Sequence, residues 1–286
     1  CLGILVLLMI LRVPVGVALG GVAFGGIWVF AGPRVAWSTL SSVPYQFAAH
    51  WTLSSIPMFL LMGYVAYYSR ITEEMFRTAQ LWLGRLPGGL GVASVSGAAG
   101  FAAVTGSSMA AAAAMGRIAV PEMMRQGYHP GFSAGIVAAA GTIGSMIPPS
   151  IIMIVYGVFA EVSIGQLFIG GIFPGILTAI FYSIVIMTRV TITPSLAPKL
   201  TERIPLRTRL RSLTEVWPFL LIVLGVFGGL FSGVFTPTEA GAIGAFLACV
   251  VALLKGALTW SVIKQSTIET VRGTASIFFI AIGAAL

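Results

Sequence analysis

Apolar residues run along this chain in long blocks, separated by Arg, Lys, Gly and Pro rather than by alternating polar positions. Blocks at 15–31, 52–68, 86–116, 131–161, 163–188, 216–235 and 237–254 have the length and polarity of membrane helices, and 1–11 reads as the tail of another. Gly32-Pro33 closes the first full span. The stretch 33–51 carries Trp37, Tyr45 and Trp51, aromatics suited to a membrane–water boundary. Lys255, Lys264 and Arg272 flank an amphipathic connector, after which a last helix is predicted to begin near Thr274. The pattern predicts an all-α polytopic membrane protein.

Two blocks are interrupted near their middles. In GFAAVTGSSMAAAAAMGR, residues 100–117, a Thr-Gly-Ser-Ser break divides an apolar run with arginines beyond both ends: Arg70, Arg77 and Arg85 before it, Arg117 and Arg125 after it. Basic loops favour the cytoplasmic side, so both ends belong on one side. A continuous helix from Gly88 to Gly116 would measure about 44 Å, longer than a bilayer core requires. A re-entrant hairpin over 86–116, with its tip at Thr105-Gly106-Ser107-Ser108, satisfies both conditions. Irregular backbone survives at membrane depth only where protein or water meets its polar groups, so freed carbonyls could face a cation and the following helix N-terminus an anion. The second interruption, GTIGSMIPPSIIMIVYG at 141–157, places Pro148 and Pro149 among Thr142, Ser145 and Ser150, which predicts an unwound stretch inside 131–161. Two adjacent broken segments point to a transporter site at the midplane.

Composition narrows the functional classes. The chain is 58% hydrophobic and 8% charged, with a mean hydropathy of +1.01, against about 25% charged residues in soluble domains. The net charge of +8 comes from 16 Lys and Arg placed between apolar blocks, a topology signal rather than a nucleic-acid-binding face. Six of them, from Arg189 through Lys199, Arg203, Arg207 and Arg209 to Arg211, lie in one stretch with Pro194, Pro198 and Pro205. This reads as an extended cytoplasmic linker, with an anionic-lipid site as the lesser alternative. There is no Asp, which disfavours a carboxylate proton relay and an aspartyl protease. Cys1, Cys249, His50 and His129 have no ligand-spaced partners, so no transition-metal site is expected. The chain starts at Cys1 and stops inside an apolar run at Leu286, and reads as a fragment lacking both ends.

The stretches GSSMAAAAAMGRIAVPEM (106–123), GTIGSMIPPSIIMIVYGVFAEVSIGQLFIGGIFPG (141–175) and FTPTEAGAIGAF (235–246) resemble the large membrane subunit of TRAP transporters, the tripartite ATP-independent periplasmic transporters of the ion transporter superfamily. The resemblance covers essentially the whole chain. It implies an elevator-type sodium symporter for organic acids (C4-dicarboxylates, sialic acid or related carboxylates) in the bacterial cytoplasmic, or inner, membrane. Such a transporter is built from inverted repeats, each with a hairpin and a broken helix. The implied partners are a small membrane subunit and a periplasmic substrate-binding protein. By position, the first sodium site falls on Gly106, Ser107, Ser108, Gly141, Thr142 and Pro148, with Thr105, Ser108, Ser145 and Ser150 near the substrate. No cofactor is implied beyond sodium as coupling ion. The implied division is a scaffold at 1–85 and a first repeat at 86–188, comprising the hairpin, the broken helix and span 163–188. A basic linker at 189–215 follows, then spans opening a second repeat at 216–286, most of which would lie beyond Leu286.

Other polar residues have simpler readings. Glu239 in TPTEAG fits a helix start, with Thr236 or Thr238 as cap and Pro237 in the first turn, better than a functional intramembrane carboxylate. Glu161 reads as the wetted end of its helix, near enough to the periplasmic mouth to touch a binding protein. His50 and His129 read as interfacial, and Met62, Met109, Met115, Met146 and Met153 as packing. Two rivals remain. A permease energised by a partner ATPase would take up substrate without sodium; the chain itself has no GxxxxGK[ST] motif. A Ser-His intramembrane protease would need Ser107 or Ser108 beside His50 or His129, which the predicted topology separates.

Overall fold

A computed structural model describes residues 1–198 and 205–286, and every regular element among them is helical. The α-helices are α1 (Leu2–Ile10), α2 (Val15–Ala31), α3 (Pro33–Ala48), α4 (Ser55–Tyr68), α5 (Ile71–Leu83), α6 (Gly89–Thr105) and α7 (Ser108–Arg125). They continue with α8 (Pro130–Gly141), α9 (Ile151–Phe159), α10 (Ile164–Ile192), α11 (Leu206–Glu215), α12 (Trp217–Phe231), α13 (Pro237–Leu254) and α14 (Trp260–Ala285). By length and composition α10, α13 and α14 suffice to cross a membrane, and α11 with α12, bent by 47° at their junction, would make a fourth span.

Two apolar cores organise the helices. The first surrounds α4, whose Ile56, Phe59, Met62 and Val65 meet residues of α9, α12, α13 and α14. The second surrounds α6, where Leu90, Val95 and Phe101 meet α7, α8 and the end of α10 through Ile186 and Val190. A Cβ on Gly244 would stand 2.4 Å from the Met62 sulfur and 2.8 Å from a Val226 methyl, so a side chain here would hold α13 off both neighbours.

The outward faces are apolar as well. On α10, Ile169, Phe173, Ile176, Ile180 and Ile184 are exposed at helical spacing, Phe173 by 73%, while Phe168, Gly171, Gly175, Ile186 and Val190 are buried. A helix apolar on both faces is a membrane span. The chain is therefore a multi-pass membrane protein.

Several boundaries differ from the sequence expectation, each for a physical reason. Helix α7 runs past Gly116 to Arg125 because Ala119 and Met123 continue its buried face; Arg117 ends the apolar run but not the helix. Helix α14 is continuous from Trp260, so no new helix begins near Thr274: the amphipathic and apolar halves share one helical period, and Gly273 between them does not break it. The stretch 33–51, in which the sequence shows only boundary aromatics, holds the helix α3. In the basic stretch, Arg189 lies in the last turn of α10 and Arg207, Arg209 and Arg211 lie on α11, so much of this linker is helical rather than extended; Lys199, Glu202 and Arg203 fall outside the described residues.

Glu239 adopts its simpler reading. Its backbone N–H donates to Thr236 Oγ1 at 3.4 Å while its carboxylate accepts from the Thr236 N–H at 2.8 Å, a reciprocal cap on α13.

If the exposed face of α10 meets lipid, Ile180→Arg should make insertion of this span less favourable by about 3 kcal/mol. Glycosylation mapping of the isolated segment in a membrane-insertion assay reads this directly, and Ile180→Leu should leave insertion unchanged.

Candidate functional site

Helices α6 and α7 form an antiparallel hairpin. Near its open end the Tyr128 hydroxyl accepts from the Leu90 N–H at 3.2 Å, and along its length Ser94 meets Met123. At the tip Gly106 takes a left-handed conformation (φ 63°), Ser107 is extended, and the Ser107 hydroxyl caps α7 by accepting from the Ala110 N–H at 3.3 Å. Each arm, of 17 and 18 residues, is about 26 Å long, enough to take the tip deep into a bilayer.

The second break lies against this tip. After α8 the chain makes a 3₁₀ turn at Thr142–Ser145, passes through the cis Pro148-Pro149 bond and restarts as α9 at Ile151. The Ile151 N–H donates to the Gly106 carbonyl at 3.0 Å. A Cβ on Gly106 would lie 2.0 Å from the Pro149 oxygen, one on Gly144 2.9 Å from the Ser108 backbone, and one on Gly141 2.6 Å from the Ala112 methyl. Pairing Gly141 with Ala112 and Gly144 with Ser108 makes α7 and the broken segment antiparallel neighbours. The C-terminal ends of α6 and α8 and the N-terminal ends of α7 and α9 thus converge on one place. Carbonyl-rich helix ends favour a cation and amide-rich ones an anion, so this junction suits both.

The hydroxyls around it mostly donate to nearby backbone. Thr142 donates to the Ala139 carbonyl at 2.7 Å, Ser145 to the Thr142 carbonyl at 2.7 Å and Ser150 to the Ser145 carbonyl at 2.9 Å. A hydroxyl whose proton is so engaged still presents oxygen lone pairs as ligands. The structure therefore gathers Gly106, Ser107, Ser108 and Gly141, with the unwound strand through Pro148, Pro149 and Ser150. Thr142 turns its hydroxyl toward Tyr182 of α10, 3.1 Å away. Thr105 is buried, back-bonded to the Phe101 carbonyl at 3.0 Å, and packs on Gly63 of α4. Sequence reasoning missed Gly63, Gly144, the Pro149 carbonyl, Ile151 and Tyr182. For Gly144 a signal existed in the three-residue spacing from Gly141, which puts both on one face; Gly63 and Tyr182 act through tertiary contact alone.

The histidines lie elsewhere. His50 shares an open cleft of about 780 Å³ with Glu161, Ser163 and Thr236, and His129 precedes α8 with its N–H bonded to the Leu196 carbonyl at 3.0 Å.

Comparison with known proteins gives a consistent picture. The family described as “Tripartite ATP-independent periplasmic transporter, DctM component” matches residues 2–286. The chain is 39% identical, over 73% of its length and 48% of the relative's, to the C4-dicarboxylate TRAP transporter large permease protein DctM of Pseudomonas aeruginosa. It is 35% identical, over 87% of its length and 39% of the relative's, to the isethionate TRAP transporter permease protein DctMQ of Oleidesulfovibrio alaskensis. It is 32% identical, over 82% of its length and 54% of the relative's, to the sialic acid TRAP transporter large permease protein SiaM of Vibrio cholerae. The chain spans about half the length of the curated relatives it matches.

The tip geometry is testable by unfolding the purified protein in a denaturant series. Gly106→Val combines a strained positive φ with a collision at the Pro149 oxygen and should cost about 2–4 kcal/mol. Ser107→Ala removes a helix cap and should cost about 1 kcal/mol, whereas Ser107→Asn should keep the cap and cost little.

Proposed function

Because this chain belongs to the DctM component family of tripartite ATP-independent periplasmic transporters, we propose that it carries the first half of a sodium-coupled site for organic anions, within the large membrane subunit of a binding-protein-dependent importer. The observation that carries the reading is the meeting of two backbone breaks, sealed by the Ile151 N–H to Gly106 carbonyl bond. Sodium is held by carbonyl and hydroxyl oxygens of Gly106, Ser107 and Ser108 together with Gly141, Thr142 and Pro148. Oxygen dipoles without a full negative charge suit a monovalent ion that must also leave.

The substrate's anionic group sits toward the amide-rich starts of α7 and α9, with Ser108, Ser145 and Ser150 as hydroxyl partners. Thr105, buried and bonded to its own helix, positions the tip against α4 rather than touching substrate. C4-dicarboxylate and sialic acid name the carboxylates of two relatives, and isethionate, a sulfonate, that of a third. The proposed substrate class is accordingly a small organic anion. Transport proceeds by an elevator movement of the hairpin and broken helix against a scaffold in the bacterial inner membrane. A small membrane subunit and a periplasmic binding protein complete the machine. The family's description as ATP-independent weighs against the reading in which a partner ATPase supplies the energy.

The complete transporter in proteoliposomes, offered candidate binding proteins loaded with labelled organic acids, should accumulate substrate only with both the binding protein and an inward sodium gradient. Uptake indifferent to sodium would remove the ion from the mechanism. Ser107→Ala, which removes one oxygen ligand, should raise the sodium concentration for half-maximal uptake by about tenfold, and Thr142→Ala, which frees the turn from Tyr182, should raise it as well, while membrane insertion is preserved. Unchanged sodium affinity in both variants would refute the ligand assignment.

A further inference from the structure

Helices α5 and α11 lie side by side. Thr78 Oγ1 donates to the Ser212 carbonyl at 3.1 Å and Trp82 Nε1 to the Arg209 carbonyl at 3.2 Å, which straps one helix to the other across a long sequence separation. Beside this strap opens a groove of about 1030 Å³, lined by Arg77 and Leu81 from α5 and by Arg207, Thr208, Arg211 and Glu215 from α11. Arg77, Arg207 and Arg211 are exposed and form no ion pair among the described residues; Glu215 is the one opposing charge among the described residues that line the groove, which leaves them net positive.

The same helix carries an apolar edge. Leu206 (65% exposed), Leu210 (53%) and Leu213 (48%) recur at helical spacing beside the arginines, and the exposed indoles of Trp82 and Trp217 flank the pair. A water-facing helix gains nothing from three exposed leucines next to three arginines. A helix lying in the headgroup region gains from both, because the leucines enter the acyl layer while the guanidinium groups stay at phosphate level. Basic segments next to spans belong on the cytoplasmic side, whose leaflet is anionic.

We propose that the α5–α11 groove is a binding site for an anionic phospholipid, with Arg77, Arg207 and Arg211 holding the headgroup phosphate, Thr208 adding a hydroxyl donor, and Leu206, Leu210 and Leu213 packing on the acyl chains. Guanidinium groups suit this task because they present paired donors to phosphate oxygens and never lose their charge. The site lies apart from the hairpin tip, shares no residue with it, and stands whether or not sodium drives transport.

The test is lipid binding to the delipidated transporter by native mass spectrometry, titrating phosphatidylglycerol and phosphatidylcholine of identical chains. Phosphatidylglycerol should bind at least about tenfold tighter, and the R77Q/R207Q/R211Q variant should lose that preference. R12Q/R34Q, which removes two arginines elsewhere in the chain, should retain it. The wild-type comparison of the two lipids stands even if the triple variant fails to fold, and R77K/R207K/R211K, which keeps the charge, should retain part of the preference. Equal binding of the two lipids, or an unaltered preference in a folded triple glutamine variant, overturns the proposal. Displacement of phosphatidylglycerol by millimolar inorganic phosphate or glycerol 3-phosphate would assign the groove to a soluble phosphate and overturn the lipid assignment; no displacement supports it. Loss of the preference when a small membrane subunit is bound would assign the groove to a protein partner instead and equally overturn it.

Discussion

The structure depends on one requirement: backbone polar groups freed inside an apolar protein must find partners. Two helices stop and restart within this chain, and each break leaves carbonyls and N–H groups that lipid cannot satisfy. The fold sets the breaks against each other, so that the first free N–H of α9 meets the carbonyl of Gly106 at 3.0 Å. Much else follows from that bond. Gly106 must lack a side chain beneath Pro149, and Gly141 and Gly144 must lack one against α7. Thr105 then lies hard against Gly63, which fixes the tip relative to α4 and joins the two apolar cores.

The chemistry of the junction follows from what it is made of. With no Asp in the chain and Glu239 engaged in capping α13, no carboxylate is placed among the junction's residues. Its field comes from helix ends, each equivalent to about half an elementary charge, and from hydroxyls whose protons are already directed into the backbone. Such a field would suit the cation and the anion proposed for this junction, without the full charges that a structural metal site carries.

Around this junction the amphipathic helices serve a different purpose. Helix α3 carries Trp37 and Tyr45 outward, and α5 and α11 are strapped together by side-chain to backbone hydrogen bonds. Glu74 of α5 is paired with Lys255 at the end of α13, tying the same helix to the first core. This ion pair therefore lies away from the junction, whose own residues present dipoles.

The amino-acid sequence determined the membrane class, the rough position of most apolar helices, the hairpin and the location of both breaks. These follow from local rules: apolar length, the helix-breaking effect of Gly and Pro, and the side on which arginines gather. The cap at Glu239 was legible for the same reason, since its partners lie within three residues. What the sequence left open depends on contacts between distant segments. An apolar run ends at the first charge, but α7 continues to Arg125 because its buried face does, and α14 continues through Gly273 because both of its halves keep one helical period. Likewise Thr142 and Ser108 carry the same kind of hydroxyl, yet Thr142 turns to Tyr182 of α10 while the Ser108 backbone lies under Gly144. Helical spacing states which residues share a face; only the packing of α6, α7, α8 and α10 decided which face each of them met.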